Sequence, residues 1–206
     1  MREDARETRE NILAVATAEF ADKGLAGARI DEIAELTASS KRMIYYYFGS
    51  KDELYRAVLE RAYQSIRFQE QQAGFEALEP DEALRAVVGN NFDYHYEHPE
   101  FVRLVMNENV HHGKHIAQIE TLRTRNQTAI AQLTAIIAAG QAKGLFRADI
   151  DPVDLHMTIS ALSFYNVSNR YTFKHNFGVD LAEKATKAKR REQIIDCVMT
   201  WVAAPQ

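Results

Sequence analysis

Lys41, Arg42 and Met43, followed by Tyr45, Tyr46 and Tyr47 and then by Lys51, gather three cations, a thioether and three phenols in one short stretch. Cations and hydroxyls of this kind meet phosphate oxygens, and Arg or Met side chains can reach base edges in a DNA groove. Between Ala38 and Lys51 there are three bases and no acid, so the positive footprint is local. It has to be local, because the chain carries a net charge of −4 and its first 56 residues hold nine Lys/Arg against eleven Asp/Glu. Bulk electrostatics therefore gives no argument for nucleic acid.

The elements that must position these side chains can be read from the surrounding segment, IDEIAELTASSKRMIYYYFGSKDEL, residues 30–54. Ile30, Ile33, Ala34 and Leu36 give a first short helix, 30–36, an apolar side. A break follows at Thr37–Ser40. Ser40 can cap a second helix, 41–47, by accepting one of its free amides. That helix would bury Ile44 and Phe48 and turn Lys41, Arg42, Met43 and Tyr46 outward, as the reader of a helix-turn-helix does. Ser50 then opens a third helix, with Glu53 placed to complete a capping box. Upstream, Ile12, Ala16 and Phe20 share one helix face, and Gly24 stands at a helix stop.

IAELTASSKRMIYYYFGSKDEL, with NILAVATAEFADKGLAGARI before it, resembles the N-terminal pattern of the TetR/AcrR family of transcriptional regulators over residues 9–60. Two positions depart from that pattern. Ala38 and Ser39 replace the usual turn glycine and valine, so the turn lacks a residue that takes positive φ cheaply. Asp31 stands where some relatives carry a basic contact, and an acid there would repel phosphate. The resemblance implies backbone contacts from Tyr46, Tyr47 and Lys51 and base-facing positions at Lys41, Arg42 and Met43. Arg29, Ser40 and Tyr45 complete the candidate DNA-binding set.

A chain of 206 residues with 46% hydrophobic residues can bury a core and fold unaided. Four prolines, nine glycines and no alternating segment argue for an all-α protein. No internal repeat or low-complexity tract is visible. The single cysteine, Cys197, excludes an internal disulfide and suggests a reducing compartment. A charged N-terminus and the lack of an apolar run near eighteen residues lead us to expect a cytoplasmic protein without a membrane partner.

Beyond Leu54 the pattern predicts a long helix over 51–72, then helices near 81–97, 99–111, 114–143 with a break near 121, 151–171 and 180–203. TFKHNFGVD, 172–180, reads as a loop packed down by its aromatic residues. In the last helix Leu181, Ala185, Ala188, Ile195, Val198 and Val202 fall on one stripe. The helix before it is apolar on nearly every face, with small residues Ser160, Ala161 and Ser163. Both can complete a monomer core, or both can form a seam; the family resemblance implies a homodimer through a four-helix bundle of the last two long helices, which pairs two reader helices on a palindromic operator. The basic run Lys184–Arg191 reads as a solvated face.

Candidates for an effector site are Phe101, Val105, Met106, Asn109, Arg123, Tyr165, Asn166 and Asn169, an apolar set with polar anchors. HPEFVRLVMNENVHHGKHI also resembles the sensor half of a TetR subgroup, without naming a ligand. Glu108, His111, His112 and His115 include helical spacings that could converge on a metal ion, but Gly113 interrupts them and no second carboxylate is near, so no metal or cofactor is expected. Motifs for a serine-hydrolase elbow, a P-loop, a zinc protease and a dinucleotide fold are all absent, so we expect no enzyme. The sequence leads to a helix-turn-helix DNA-binding domain, 1–50, joined to a larger helical effector-binding and dimerisation domain, 51–206. Such a chain would be a ligand-responsive regulator, a repressor leaving double-stranded operator DNA when a small molecule binds. The alternatives are an activator or effector-independent regulator of the same fold, and more distantly a helical enzyme or metal-binding protein.

Overall fold

Helical periodicity interrupted by Pro, Gly and capping residues leaves this chain no route to a sheet. The structure, a computed structural model, describes residues 2–205 apart from the side chains of Arg2, Glu3, Glu76 and Arg125. Its helices are α1 (Arg2–Gly27), α2 (Ile30–Leu36), α3 (Lys41–Phe48), α4 (Lys51–Gln72), α5 (Pro80–Glu97), α6 (Pro99–Val110), α7 (Glu120–Ala142), α8 (Pro152–Ser168), α9 (Arg170–Phe177) and α10 (Lys184–Val202). Two 3-10 turns, Phe75–Ala77 and Ile116–Gln118, precede α5 and α7. The all-α expectation holds, and among the described residues no helix is long and apolar enough to cross a membrane.

The chain divides into two compact units, Met1–Ser65 with Glu100–Leu122, and Ile66–Pro99 with Arg123–Gln206. The first is built on Ile12, Ala16, Phe20, Ile33, Ile44 and Leu54, all buried. Phe20 meets the Tyr55 ring edge-on at 5.1 Å, an arrangement that aromatic quadrupoles favour. Leu104 of α6 belongs to this same core. Gly24 ends the regular part of α1 with φ of 67°, as its place at a predicted stop requires. Leu36 departs from the expected apolar side: it is 63% exposed, because six residues on from Ile30 it lies at the rim of the buried stripe.

In the second unit α5, α8 and α10 pack against one another. Leu84, Val88, Phe92, Leu155, Ile159, Val198 and Val202 form its centre. Asp151 starts α8 by accepting the amides of Val153 and Asp154 at 2.7 and 3.0 Å, with Pro152 in the first turn. After α7 the chain turns back, and Arg147 N donates to Val202 O at 3.0 Å. Gly140 makes that return possible, since a Cβ there would overlap the Phe146 ring.

Residues 172–180 do not form the expected packed loop. Arg170–Phe177 is a helix that restarts directly after Asn169 ends α8, and Gly178 with φ of 69° stops it. None of its residues is buried. Phe173 and Phe177, one turn apart, lie 4.7 Å ring to ring, so the aromatic content supports the helix along its own surface.

Candidate functional site

The turn between α2 and α3 works without glycine because Ala38 itself adopts φ of +49°. A left-handed alanine costs about 1 kcal/mol. Around it Ser39 N donates to Ala34 O at 3.0 Å and the Thr37 hydroxyl to Ile33 O at 2.7 Å, so the polar groups of the turn are occupied. Ser40 caps α3 as expected, its hydroxyl accepting Met43 N at 3.1 Å. Ile44 and Phe48 are buried, which fixes the rotation of the helix and sends Lys41, Arg42, Met43, Tyr45 and Tyr46 to the surface. Tyr46 is 80% exposed. Tyr47 is half-buried, edge-on to the Tyr46 ring at 5.4 Å. The Ser50 hydroxyl accepts Glu53 N at 3.1 Å, starting α4 at Lys51.

Asp31 of α2 reshapes this face. Its carboxylate pairs with Lys41 at 2.5 Å and lies 3.7 Å from Arg29. The hydrogen bond from Lys41, more than the charge of Arg29, holds the Asp31 carboxyl below the usual carboxylate range. Two of the candidate cations thus share one acid. Arg42 and Lys51 have no acidic partner among the described residues, which makes them the groups best placed to meet phosphate or a base.

Glu108, His111, His112 and His115 do not converge on a metal; among the described residues no cluster of three or more candidate ligands forms. Glu108 is instead the centre of a buried clasp, 3% exposed. Its carboxylate accepts His115 N at 3.0 Å, Ile116 N at 2.9 Å and the His115 imidazole Nδ1 at 3.0 Å. Burial pushes this carboxyl upward, but the two amides and the imidazole outweigh it and hold the group below the ordinary range. The Tyr55 ring stands edge-on to His115 at 5.2 Å. Burial, aided by Glu108, raises the Tyr55 phenol. His111 and His112 are exposed.

The second unit holds a cleft of about 520 Å³ between α4, the turn at Phe75, and α7. Ala131, Ala135 and Ala139 give α7 a face without bulk, and Phe75, Leu78 and Ile136 make the opposing walls apolar. Into this setting α4 brings one charged couple, Arg67 and Glu70, with Nη1 and Oε2 2.5 Å apart. Arg67 is 9% exposed, and its Nε is sealed from solvent without an acceptor. Burial raises the Glu70 carboxyl against the opposing pull of Arg67. His95 and His156 feel the same guanidinium. Burial, then Arg67 and His95, pushes His156 down to about 4. Burial likewise lowers His95, whose Nδ1 lies 2.6 Å from Asn91 O.

None of the eight effector candidates lines this cleft. Phe101, Val105, Met106 and Asn109 belong to the first unit, where Phe101 is buried and Asn109 bonds back to Val105 O. Arg123, Tyr165, Asn166 and Asn169 belong to the second. Of these, Tyr165 and Asn166 line a separate groove of about 440 Å³, and Asn166 Oδ1 accepts Arg190 Nε at 3.2 Å. Arg67, Glu70, His95 and His156 escaped sequence reading because an i,i+3 Arg–Glu pair looks like any solvated pair on a helix. The alanine spacing along α7 was the one available signal.

The dimerisation stripe also divides. Ile195, Val198 and Val202 are buried in the core of the second unit, and Leu181 is buried beside it, so none of the four is exposed for a seam. Ala185 and Ala188 are exposed. On α8, Val153, Met157 and Tyr165 face solvent, Met157 at 63%.

A capped helix-turn-helix with an exposed cationic and aromatic reader, followed by a helical unit with its own cleft, defines a DNA-recognition protein with a separate sensing part. Comparison with known proteins agrees. The family profile described as "Bacterial regulatory proteins, tetR family" matches residues 12–58, and "Tetracyclin repressor-like, C-terminal domain" matches residues 80–198. The HTH-type transcriptional repressor NicS of Pseudomonas putida KT2440 is 42% identical over 186 residues, 90% of this chain and 88% of that protein. An HTH-type transcriptional repressor of Streptomyces coelicolor is 32% identical, over 80% of each chain. The crystal structure of a TetR family transcription regulator from Marinobacter aquaeolei VT8 superposes with a TM-score of 0.75 over all of both chains, at 19% identity. The chain belongs to the TetR family of transcriptional regulators, and is not an enzyme.

Proposed function

We propose that this regulator is a repressor that binds a palindromic operator as a homodimer and leaves it when a small molecule occupies the second unit. The observation that carries the DNA half is the exposed reader face of α3, with Arg42 and Lys51 unclaimed by acids. Arg29, Ser40, Lys41, Met43, Tyr45, Tyr46 and Tyr47 complete that surface. The names of the two relatives above support repression. Pairing through α8 and α10 would cover Val153, Met157, Ala185 and Ala188, apolar positions otherwise left in water. α4 carries Lys51 at one end and Arg67 and Glu70 near the other, so a ligand that reshapes its last turns acts on the helix that meets DNA. Release is then a population shift, limited by the ligand's differential affinity for the two states.

A duplex enriched from a random pool by the parent protein provides the operator for the test. Lys51→Ala should weaken binding equally on operator and scrambled duplex and reduce the salt slope by about one per subunit. Arg42→Ala should cost about 1–3 kcal/mol on the operator and relax base preference at one position in each half-site. If the parent enriches no sequence, or neither variant loses affinity for any DNA, α3 is not the reader. Met157→Asp should yield folded monomers in sedimentation; an unchanged dimer would move the interface off α8.

A further inference from the structure

The cleft of the second unit is largely apolar, with Gln71, Thr128 and Gln132 among its lining, and it holds one charged couple that is incomplete. A guanidinium presents a planar fork of five N–H donors that matches a carboxylate in two places at once. Glu70 meets Nη1 of Arg67, while the Nε atom is buried without an acceptor. Buried donors are nearly always paired, so one that is not marks a group waiting for a partner or a strained arrangement. Here the residue also lines a cleft large enough for a ligand, which favours the first.

We propose that the cleft binds a small molecule with a flat apolar body and a single carboxylate, and that this carboxylate takes the Arg67 guanidinium from Glu70. The inference rests on the reading of this cleft as the effector site. The body is set by the walls: Phe75, Leu78 and Ile136 offer apolar surface, and Ala131, Ala135 and Ala139 leave width on α7, where Thr128 and Gln132 are the polar lining residues. The head is set by charge. A cation would face Arg67, a neutral molecule would have little with which to displace an ionised Glu70, and a dianion would find one guanidinium and no lysine among the cleft residues. Glu70 holds the guanidinium position that the ligand carboxylate would take. Once displaced it either turns to the cleft mouth or takes up a proton, and burial already favours its protonated form.

The test uses 2-naphthoate and its uncharged amide, titrated calorimetrically into the full chain. The parent should bind the acid about tenfold or more tightly than the amide, the worth of a charge-assisted hydrogen bond. Glu70→Gln removes the internal competitor and should strengthen naphthoate binding severalfold while leaving the amide unchanged. The double variant Arg67→Gln with Glu70→Gln removes both charges of the couple, should stay folded at neutral pH, and should lose the preference for the acid. Equal binding of acid and amide, weaker naphthoate binding by Glu70→Gln, or no binding of either compound up to its solubility limit overturns the proposal. Operator release by naphthoate is measured separately: a bound acid that leaves the protein on its operator preserves the carboxylate site and sinks the effector reading.

Discussion

In the first unit the buried Glu108 meets His115, in the second the partly buried Glu70 meets Arg67, and the two pairs are not equivalent. Glu108 takes three N–H donors within 3.0 Å, two of them backbone amides, and its charge is welcome where it lies. Glu70 has one donor, and burial works against its ionised form. The first pair closes a turn: His112 and Gly113 take positive φ, and the amides that follow end on the Glu108 side chain. The second pair leaves an N–H of Arg67 without an acceptor at the edge of a cleft. A complete buried network stabilises a conformation, whereas an incomplete one leaves binding energy for something else to use.

The contrast predicts unequal mutational costs. Glu108→Ala should lose about 3 kcal/mol in urea unfolding, because two buried amides and an imidazole lose their acceptor together. Removing both charges of the other couple, by Arg67→Gln with Glu70→Gln, should cost under about 1 kcal/mol, since the desolvation of both ions is removed with their attraction. Comparable losses would mean that the two pairs play the same structural part.

A smaller effect should appear with pH. His156 has a folded value near 4 against an ordinary 6.5, so its neutral form is favoured by folding. Stability from this group is full above about 6.5 and falls as the pH drops toward 4, because the unfolded chain takes the proton first. His95 acts in the same direction. Glu70 acts oppositely: its folded value is raised, so the folded state gains on the unfolded one as the pH falls through it. His156→Asn should flatten the decline in melting temperature between pH 6.5 and 4.5, and Glu70→Gln should steepen it. In that window Glu108 contributes nothing, since its stabilisation is lost only below the ordinary 4.5. A profile unchanged by both substitutions would place the acid sensitivity outside the second unit's charged cluster.

The smallest change is expected in the turn of the reader, where no partner is at stake. Ala38→Gly relieves a left-handed backbone but adds freedom to the unfolded chain, for a net gain of about 0.5 kcal/mol. A loss on that substitution would mean that the alanine methyl group packs usefully at the turn.

Wherever a signal lies within a few residues of the structure it specifies, the sequence sufficed. The bounds of α2, the start of α3, both ends of α4 and the start of α6 at Pro99 were readable because Ser40, Ser50, Gly74 and Pro99 act on their own backbone neighbours. The reader's outward face followed from Ile44 and Phe48, since two buried positions fix the rotation of so short a helix. Periodicity could say that Ile195, Val198 and Val202 face one way, but not that α5 already occupies that side. It could mark Glu108 and His115 as a cluster, yet only the turn through His112 and Gly113 decided that they satisfy each other and bind no metal. Aromatic content alone does not distinguish the surface helix α9 from a packed loop, because Phe173 and Phe177 pack on each other with none of the helix buried. Arg67 looked like one more helix-surface cation until the walls from α5 and α7 enclosed it. Local hydrogen bonding is written in neighbouring residues, whereas burial depends on which distant segment arrives to cover a face, and a single helix period carries no record of that.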